Sequence, residues 1–195
     1  EIRGSLTCGS DVEIDVGCIF EGNVKLGNNV KVGAYTHIKQ STILDDTTIK
    51  PYSHIDTSEV GQKNNIGPYA RLRPGAKTKN NVNIGNFVEI KNSEIGSGTK
   101  INHLSYVGDS EVGENVNIGA GCITCNYDGL NKHKTIIEDD VFIGSNSQLV
   151  APLTIGAGST IGAGSTITKD TPANQLTLSR PKQTNIPNWE RPKKK

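Results

Sequence analysis

The sequence predicts an all-β protein folded as a parallel β-helix. Three observations carry that prediction. Aliphatic residues recur every six positions, often with glycine next in line. Aromatics make up only 5% of the 195 residues, 22 glycines are spread along the chain, and methionine is absent. The recurring residues are mostly Ile and Val, whose branched side chains favour strands. A six-residue period cannot be helical, because at 3.6 residues per turn each step rotates the apolar position by about 240° and leaves no apolar stripe. The same period fits the two-residue alternation of a strand. Three short strands joined by tight corners make one coil of about 18 residues, and the inward residue stacks on its equivalent ~4.8 Å away in the next coil. Such a prism is narrow. It takes Ile, Val and Leu and has little room for Trp.

The repeat can be followed along the chain. It is weak at first, in Val24, Val30, Val32, Ile38, Ile49 and Ile55. One row reads Val60, Ile66, Leu72, breaks, and resumes at Ile84 and Ile90. Spacings of five and six alternate through Ile95, Ile101, Val107, Val112 and Ile118. The last row is regular: Ile137, Ile143, Leu149, Ile155, Ile161, Ile167. The glycine after the aliphatic is expected to let the backbone turn sharply at each corner. Asp11 to Asp170 then hold roughly nine coils, a rod about 40–45 Å long. The repeat is interrupted at TCNYDGLNKHK, where Asp-Gly signals a turn. Residues 124–135 are therefore expected to project as a loop, and insertions in solenoids often build the binding face. The predicted organisation is one β-helical domain over 1–170 and an irregular Pro-, Asn- and Lys-rich tail over 171–195.

Composition excludes several classes. No run approaches the ~18 apolar residues of a membrane-spanning helix. No basic start precedes an apolar stretch, so no signal peptide is expected. The chain begins at Glu1 and has no methionine, as expected of a piece of a longer protein. Cys122 and Cys125 form one C-x-x-C, but no second ligand pair supports zinc and no βαβ context supports a redox motif. With Cys8 and Cys18 they are expected to be ordinary small apolar residues in a reducing, cytoplasmic compartment. Charge is uneven. Arg180, Lys182, Arg191, Lys193, Lys194 and Lys195 against Glu190 give the tail a net +5, so the net +1 of the chain leaves −4 on the body. A basic tail can be solvated, can bind nucleic acid or a membrane surface, or can clamp an anionic cofactor.

Longer segments point further. IGPYARLRPGA (66–76), GNFVEIK (85–91), HLSYVGD (103–109), NIGAGCITCNYDGLNKHKT (117–135), DDVFIGSNSQLVAP (139–152) and the ending SRPKQ…WERPKKK resemble one family over essentially the whole chain. It is the acetyltransferase domain of the bacterial bifunctional N-acetylglucosamine-1-phosphate uridyltransferases/glucosamine-1-phosphate N-acetyltransferases, within the hexapeptide-repeat acyltransferases. The resemblance implies a left-handed coil, against the general right-handed preference of parallel crossovers. It implies acetyl transfer from acetyl-CoA to the 2-amino group of glucosamine 1-phosphate, with no metal. It also implies a homotrimer with sites between subunits, a bacterial cytoplasmic location, and neither nucleic acid nor membrane as partner. The uridyltransferase domain is expected to be missing from this chain.

The implied site residues suit that chemistry. An ammonium is not nucleophilic, so the reaction needs a base; imidazole is a suitable group for that work near neutral pH, and His103 matches the position. Arg73 and Lys91 match the sugar-phosphate ligands, a guanidinium fork and an ammonium for a dianion. Tyr106 and Asn117 match positions that orient the sugar. Lys132, in the loop, matches a further substrate contact and is expected to reach toward a neighbouring subunit. Ala120, Asn126, Tyr127, Ser145, Ala163 and Arg180 match the acetyl-CoA positions, the alanines through backbone groups and Arg180 through the 3′-phosphate. A backbone N–H near Ser145 is the candidate oxyanion donor. His37 and His54 are expected on the surface without such a role, and no acyl-cysteine is required.

Rival readings remain open at this level. One is a hexapeptide acyltransferase with another acceptor. Another is a hexapeptide carbonic anhydrase, which needs three convergent histidines. A third is a structural or ice-binding β-helix, which needs regular threonine arrays.

Overall fold

The computed structural model describes residues 1–193, so Lys194 and Lys195 of the basic tail lie outside the described residues. Every assigned element is a strand, and all strand pairings are parallel except for one isolated bridge in the loop. The chain winds as a three-faced parallel β-helix. Ten strands stack on the first face, from Glu13–Ile14 to Leu176–Thr177. The second face carries His37–Lys39, His54–Asp56, Arg71–Leu72, Glu89–Lys91, Tyr106–Gly108, Ile123–Cys125 and Gln148–Val150. The third carries Lys77–Thr78, Glu94–Ile95, Ser110–Val112, Thr135–Ile137 and Leu153–Ile155 among others.

The core is the repeat itself. All sixteen aliphatics from Val60 to Ile167 named above are buried. Both interruptions of the row are threonines turned inward. Thr78 fills the break after Leu72 and accepts from Asn64 Nδ2 at 2.6 Å. Thr124 follows Ile118 and accepts from the Gly108 amide at 2.8 Å. A buried hydroxyl costs little when it is paired in this way, so the coil tolerates polar residues at inward positions. A search for aliphatics alone passes over them.

Three sequence expectations need correction. The glycines that follow the aliphatic are mostly not in the left-handed region. They are required by contact: a Cβ on Gly85 would lie 2.0 Å from the Asn102 carbonyl oxygen, and one on Gly144 would lie 2.4 Å from the Ala163 amide. The positive-φ corners mostly sit elsewhere and are filled more often by Asn, Asp and aromatic residues than by glycine. The coil also runs past Asp170. Leu176–Thr177 pairs with Thr160–Ile161, and Ser179 still accepts from the Thr166 amide at 3.1 Å. Ten strands ~4.8 Å apart give a first face roughly 43 Å long. Finally, Ile123–Cys125 pairs with Gln148–Val150, and Thr135–Ile137 is also a strand, so the projecting loop is narrower than 124–135 and spans 126–134.

The corner between the first and second faces organises the site. Its left-handed position is held in successive coils by Tyr35, Tyr52, Tyr69 and Phe87, whose rings stack with centroids 5.0–5.4 Å apart. Leu104 comes next, and then Gly121, Asn146 and Gly164. A bulky ridge thus gives way to small residues one coil beyond Leu104. Nothing lies within 4 Å of a Cβ placed on Gly164, and the nearest atom to one on Gly121 is 3.8 Å away.

Candidate active site

His103 ends the strand Lys100–His103 at this corner and is exposed. Its Nδ1 lies 2.7 Å from Asn86 Oδ1. The residues that follow it in register up the corner are Ala120, Ser145 and Ala163, linked by the Gly121, Asn146 and Gly164 amides, which donate to the carbonyls of His103, Ala120 and Ser145. The amides of Ala120, Ser145 and Ala163 have no acceptor among the described residues. They form a column of free donors beside the small-residue stretch. Arg180 closes the column, with its guanidinium donating to the Ala163 carbonyl at 2.8 Å.

Round the corner, the second face gathers the cations. Arg73 donates to Glu89 Oε1 at 2.8 Å, and Arg71 reaches the other oxygen at 3.4 Å. Lys91 lies 3.3 Å from Asp109 Oδ2, with both side chains largely buried. The loop residue Lys132 reaches this same pair. A hydrogen bond to Lys132 as acceptor, with Asp109 adding and burial opposing, holds the Lys91 ammonium above its ordinary range. Lys132 is pulled below its ordinary range, first by Lys91, with Arg73 adding to the effect. Three basic side chains crowded in this way favour a multivalent anion between them, which would let all three carry charge. Tyr106 lies on the same face with its ring over Gly108, where a Cβ would come 2.3 Å from the phenol oxygen. Gly108 is the register partner of Lys91, so the phenol lies beside the cations.

Asp109 was not found by sequence reasoning, although it is the hub of the cluster. Burial raises its pKa, but hydrogen bonds from Asn92 (2.6 Å), Asn126 and Lys91 outweigh this and hold the carboxyl below its ordinary range. Asn126 stands at the base of the loop, so Asp109 joins the loop to the Lys91 face. Tyr127 and Lys132 form an antiparallel bridge across the loop, and His133 Nε2 lies 2.7 Å from Asp128 Oδ2. The structure therefore brings Arg73, Lys91, Tyr106, Asn126 and Lys132 together on one face. It places His103, Ala120, Ser145, Ala163 and Arg180 on the adjoining corner. Asn117 is not brought to the cations. It pairs with Lys100 and Phe142 on the first face, across the corner.

His37 and His54 lie on the outer surface of the second face and pair with each other. Their rings stack with centroids 5.0 Å apart, half-buried on the second face. All four cysteines are free, and burial pushes the Cys122 and Cys125 thiols up. Among the described residues no three His, Cys, Asp or Glu side chains are grouped to hold a metal ion, and no helix is long and apolar enough to cross a membrane.

Known proteins share the repeat and the fold. Residues 134–169 match the bacterial transferase hexapeptide family of six repeats, and residues 2–78 match the GMPPB C-terminal domain. The bifunctional protein GlmU of Nitrosospira multiformis is 60% identical over all 195 residues, which span 42% of that protein. The bifunctional protein GlmU of Nitrosomonas europaea is 63% identical over 194 residues, again 42% of its length. This chain belongs to the GlmU family. It corresponds to the C-terminal hexapeptide-repeat region and spans less than half the length of these relatives. Two solved structures share the fold of this GlmU-family chain. The UDP-N-acetylglucosamine acyltransferase of Francisella novicida has a TM-score of 0.59 at 17% identity, over 92% of this chain and 67% of that one. The Arabidopsis UDP-N-acetylglucosamine acyltransferase has a TM-score of 0.61 at 18% identity, over 90% and 68%.

Proposed function

We propose that this chain is a glucosamine-1-phosphate N-acetyltransferase that uses acetyl-CoA. The observation that carries the reading is the adjacency of two features. Arg73, Lys91 and Lys132 form a cluster suited to a phosphomonoester, and beside it runs a corner with a histidine at one end and free amides along it. The sugar phosphate sits on the second face, oriented by Tyr106 and, from a neighbouring copy's first face, by Asn117. The pantetheine arm follows the small-residue corner, with amide partners at Ala120 and Ala163 and side chains from Asn126 and Tyr127. Arg180 meets the 3′-phosphate.

The neutral 2-amine attacks the thioester carbonyl, and the C–N bond forms. His103 Nε2 takes the proton that the nitrogen sheds, and the oxyanion is met by a backbone N–H near Ser145. The C–S bond then breaks, and CoA leaves as a thiolate that takes the proton back from the His103 imidazolium. Neither cysteine enters the scheme, in keeping with thiols whose reactive anion is disfavoured. We further propose a homotrimer in the bacterial cytoplasm, with small molecules rather than nucleic acid or membrane as partners. No uridyltransferase activity is expected of this region.

The test is thiol release from acetyl-CoA with glucosamine 1-phosphate, comparing wild type with His103→Ala. A fall of about 10²–10⁴ in kcat supports a general base. Equal rates, or no turnover by the wild type with this acceptor, overturn the reading.

A further inference from the structure

We infer that Asn86 is the positioning residue for the proposed base, holding His103 in the tautomer that leaves Nε2 free to accept a proton. The inference rests on the reading of His103 as that base.

An amide oxygen can only accept, so the 2.7 Å contact between Asn86 Oδ1 and His103 Nδ1 requires the imidazole proton on Nδ1. Neutral imidazole in water favours the other tautomer, with the proton on Nε2, which would present a donor where the reaction needs a lone pair. The backbone is built to keep this contact. Asn83–Asn86 and Lys100–His103 are four residues long, whereas the other eight strands of the first face have two. Pairing therefore continues to the end of the strand, with Asn86 and His103 as register partners. The Asn86 carbonyl also accepts from the Leu104 amide at 3.1 Å. From the coil above, the Gly121 amide donates to the His103 carbonyl at 3.3 Å, and within the same coil Ser105 Oγ donates to it at 2.8 Å. The close approach depends on Gly85, where any side chain would strike the Asn102 carbonyl. The motif Gly-Asn at 85–86 thus supplies both the space and the acceptor.

Asn86 below and Ala120 above are uncharged. The titratable groups on the surrounding strands are Lys100 on the histidine's own strand and Glu89, Lys91 and Tyr106 on the second face. A neutral partner at Nδ1 orients the ring without placing a charge beside it.

The experiment compares wild type, Asn86→Ala and Asn86→Asp in the thiol-release assay across pH, with thermal unfolding as a check on folding and His103→Ala as a control. Asn86→Ala is expected to lower kcat about ten- to a hundredfold while both KM values stay within about twofold. Asn86→Asp places a carboxylate against Nδ1, which favours the imidazolium. The acid limb of kcat/KM is then expected to move up by about one pH unit. In ¹⁵N spectra, His103 should be an Nδ1–H tautomer in the wild type and lose that bias in Asn86→Ala. An unmoved acid limb in folded Asn86→Asp, or an Nε2–H tautomer in the wild type, overturns the inference. A fully active His103→Ala overturns the underlying reading of the base instead.

Discussion

Lys91 Nζ lies 3.3 Å from Asp109 Oδ2, and the two side chains are only 18% and 13% exposed. Pairing at that depth means that removing either group takes from the other its oppositely charged partner, which is destabilising for a largely buried ion. Lys91→Ala should raise the KM for glucosamine 1-phosphate about ten- to a hundredfold, the loss of one charge-assisted contact. It should also lower the unfolding temperature, because Asp109 is left without its cation. Adding Asp109→Asn should restore the unfolding temperature but not the KM. Steady-state kinetics and thermal scans on the two variants separate the effects.

Arg180 holds the Ala163 carbonyl at the far end of the corner. If it meets the 3′-phosphate, Arg180→Ala should raise the KM for acetyl-CoA several-fold and leave the KM for 3′-dephospho-acetyl-CoA unchanged. An equal rise with both donors would mean that the residue only shapes the end of the coil.

Gly85 sits where a Cβ would meet the Asn102 carbonyl at 2.0 Å. Backbone cannot yield as a flexible side chain does. Gly85→Ala should cost roughly 2–4 kcal/mol in urea unfolding. Gly129, with nothing within 4 Å of a Cβ but a φ of +101°, is the control for conformational strain without collision.

The stacked His37 and His54 predict a pH dependence of stability. Burial, reinforced by His37 and Arg71 and opposed by Asp56, holds His54 below its ordinary value of 6.5. A lowered pKa means that the folded state binds its proton less readily than the unfolded chain. The contribution is therefore present above the unfolded value and lost as pH falls through it. The unfolding temperature should drop between about pH 7.5 and 5.5. The drop should be shallower in His54→Gln. Identical slopes would exclude His54 as its source.

Much of the fold was legible because a coil of one repeat needs only local information. Ile137 to Ile167 at six-residue spacing can be buried together only if each sixth residue faces one axis, and all of them are. Thr78 and Thr124 were not legible as core, because their burial depends on partners 14 and 16 residues away, Asn64 and Gly108. The glycines were legible as special but for the wrong reason. What they avoid is the backbone of the next coil, and no local conformational rule contains that distance.

The candidate site divides in the same way. His103, Arg73, Lys91 and Lys132 could be picked from the sequence because acetyl transfer to an amino sugar phosphate needs a base and cations, and the matched motifs carry them. Asp109, Glu89 and Asn86 could not, because their roles exist only through side chains one coil away. By itself, then, the sequence determined the period, the coil and the kinds of chemistry available. Only the tertiary structure decided which residues share a rung: Asn86 under His103, Gly108 beside Lys91, and Asn117 on the opposite side of the corner from the cations. The physical reason is the length of the coil. Contacts between coils join residues usually 17 or 18 positions apart and 25 across the loop, and one residue more or less in a turn changes which side chains meet.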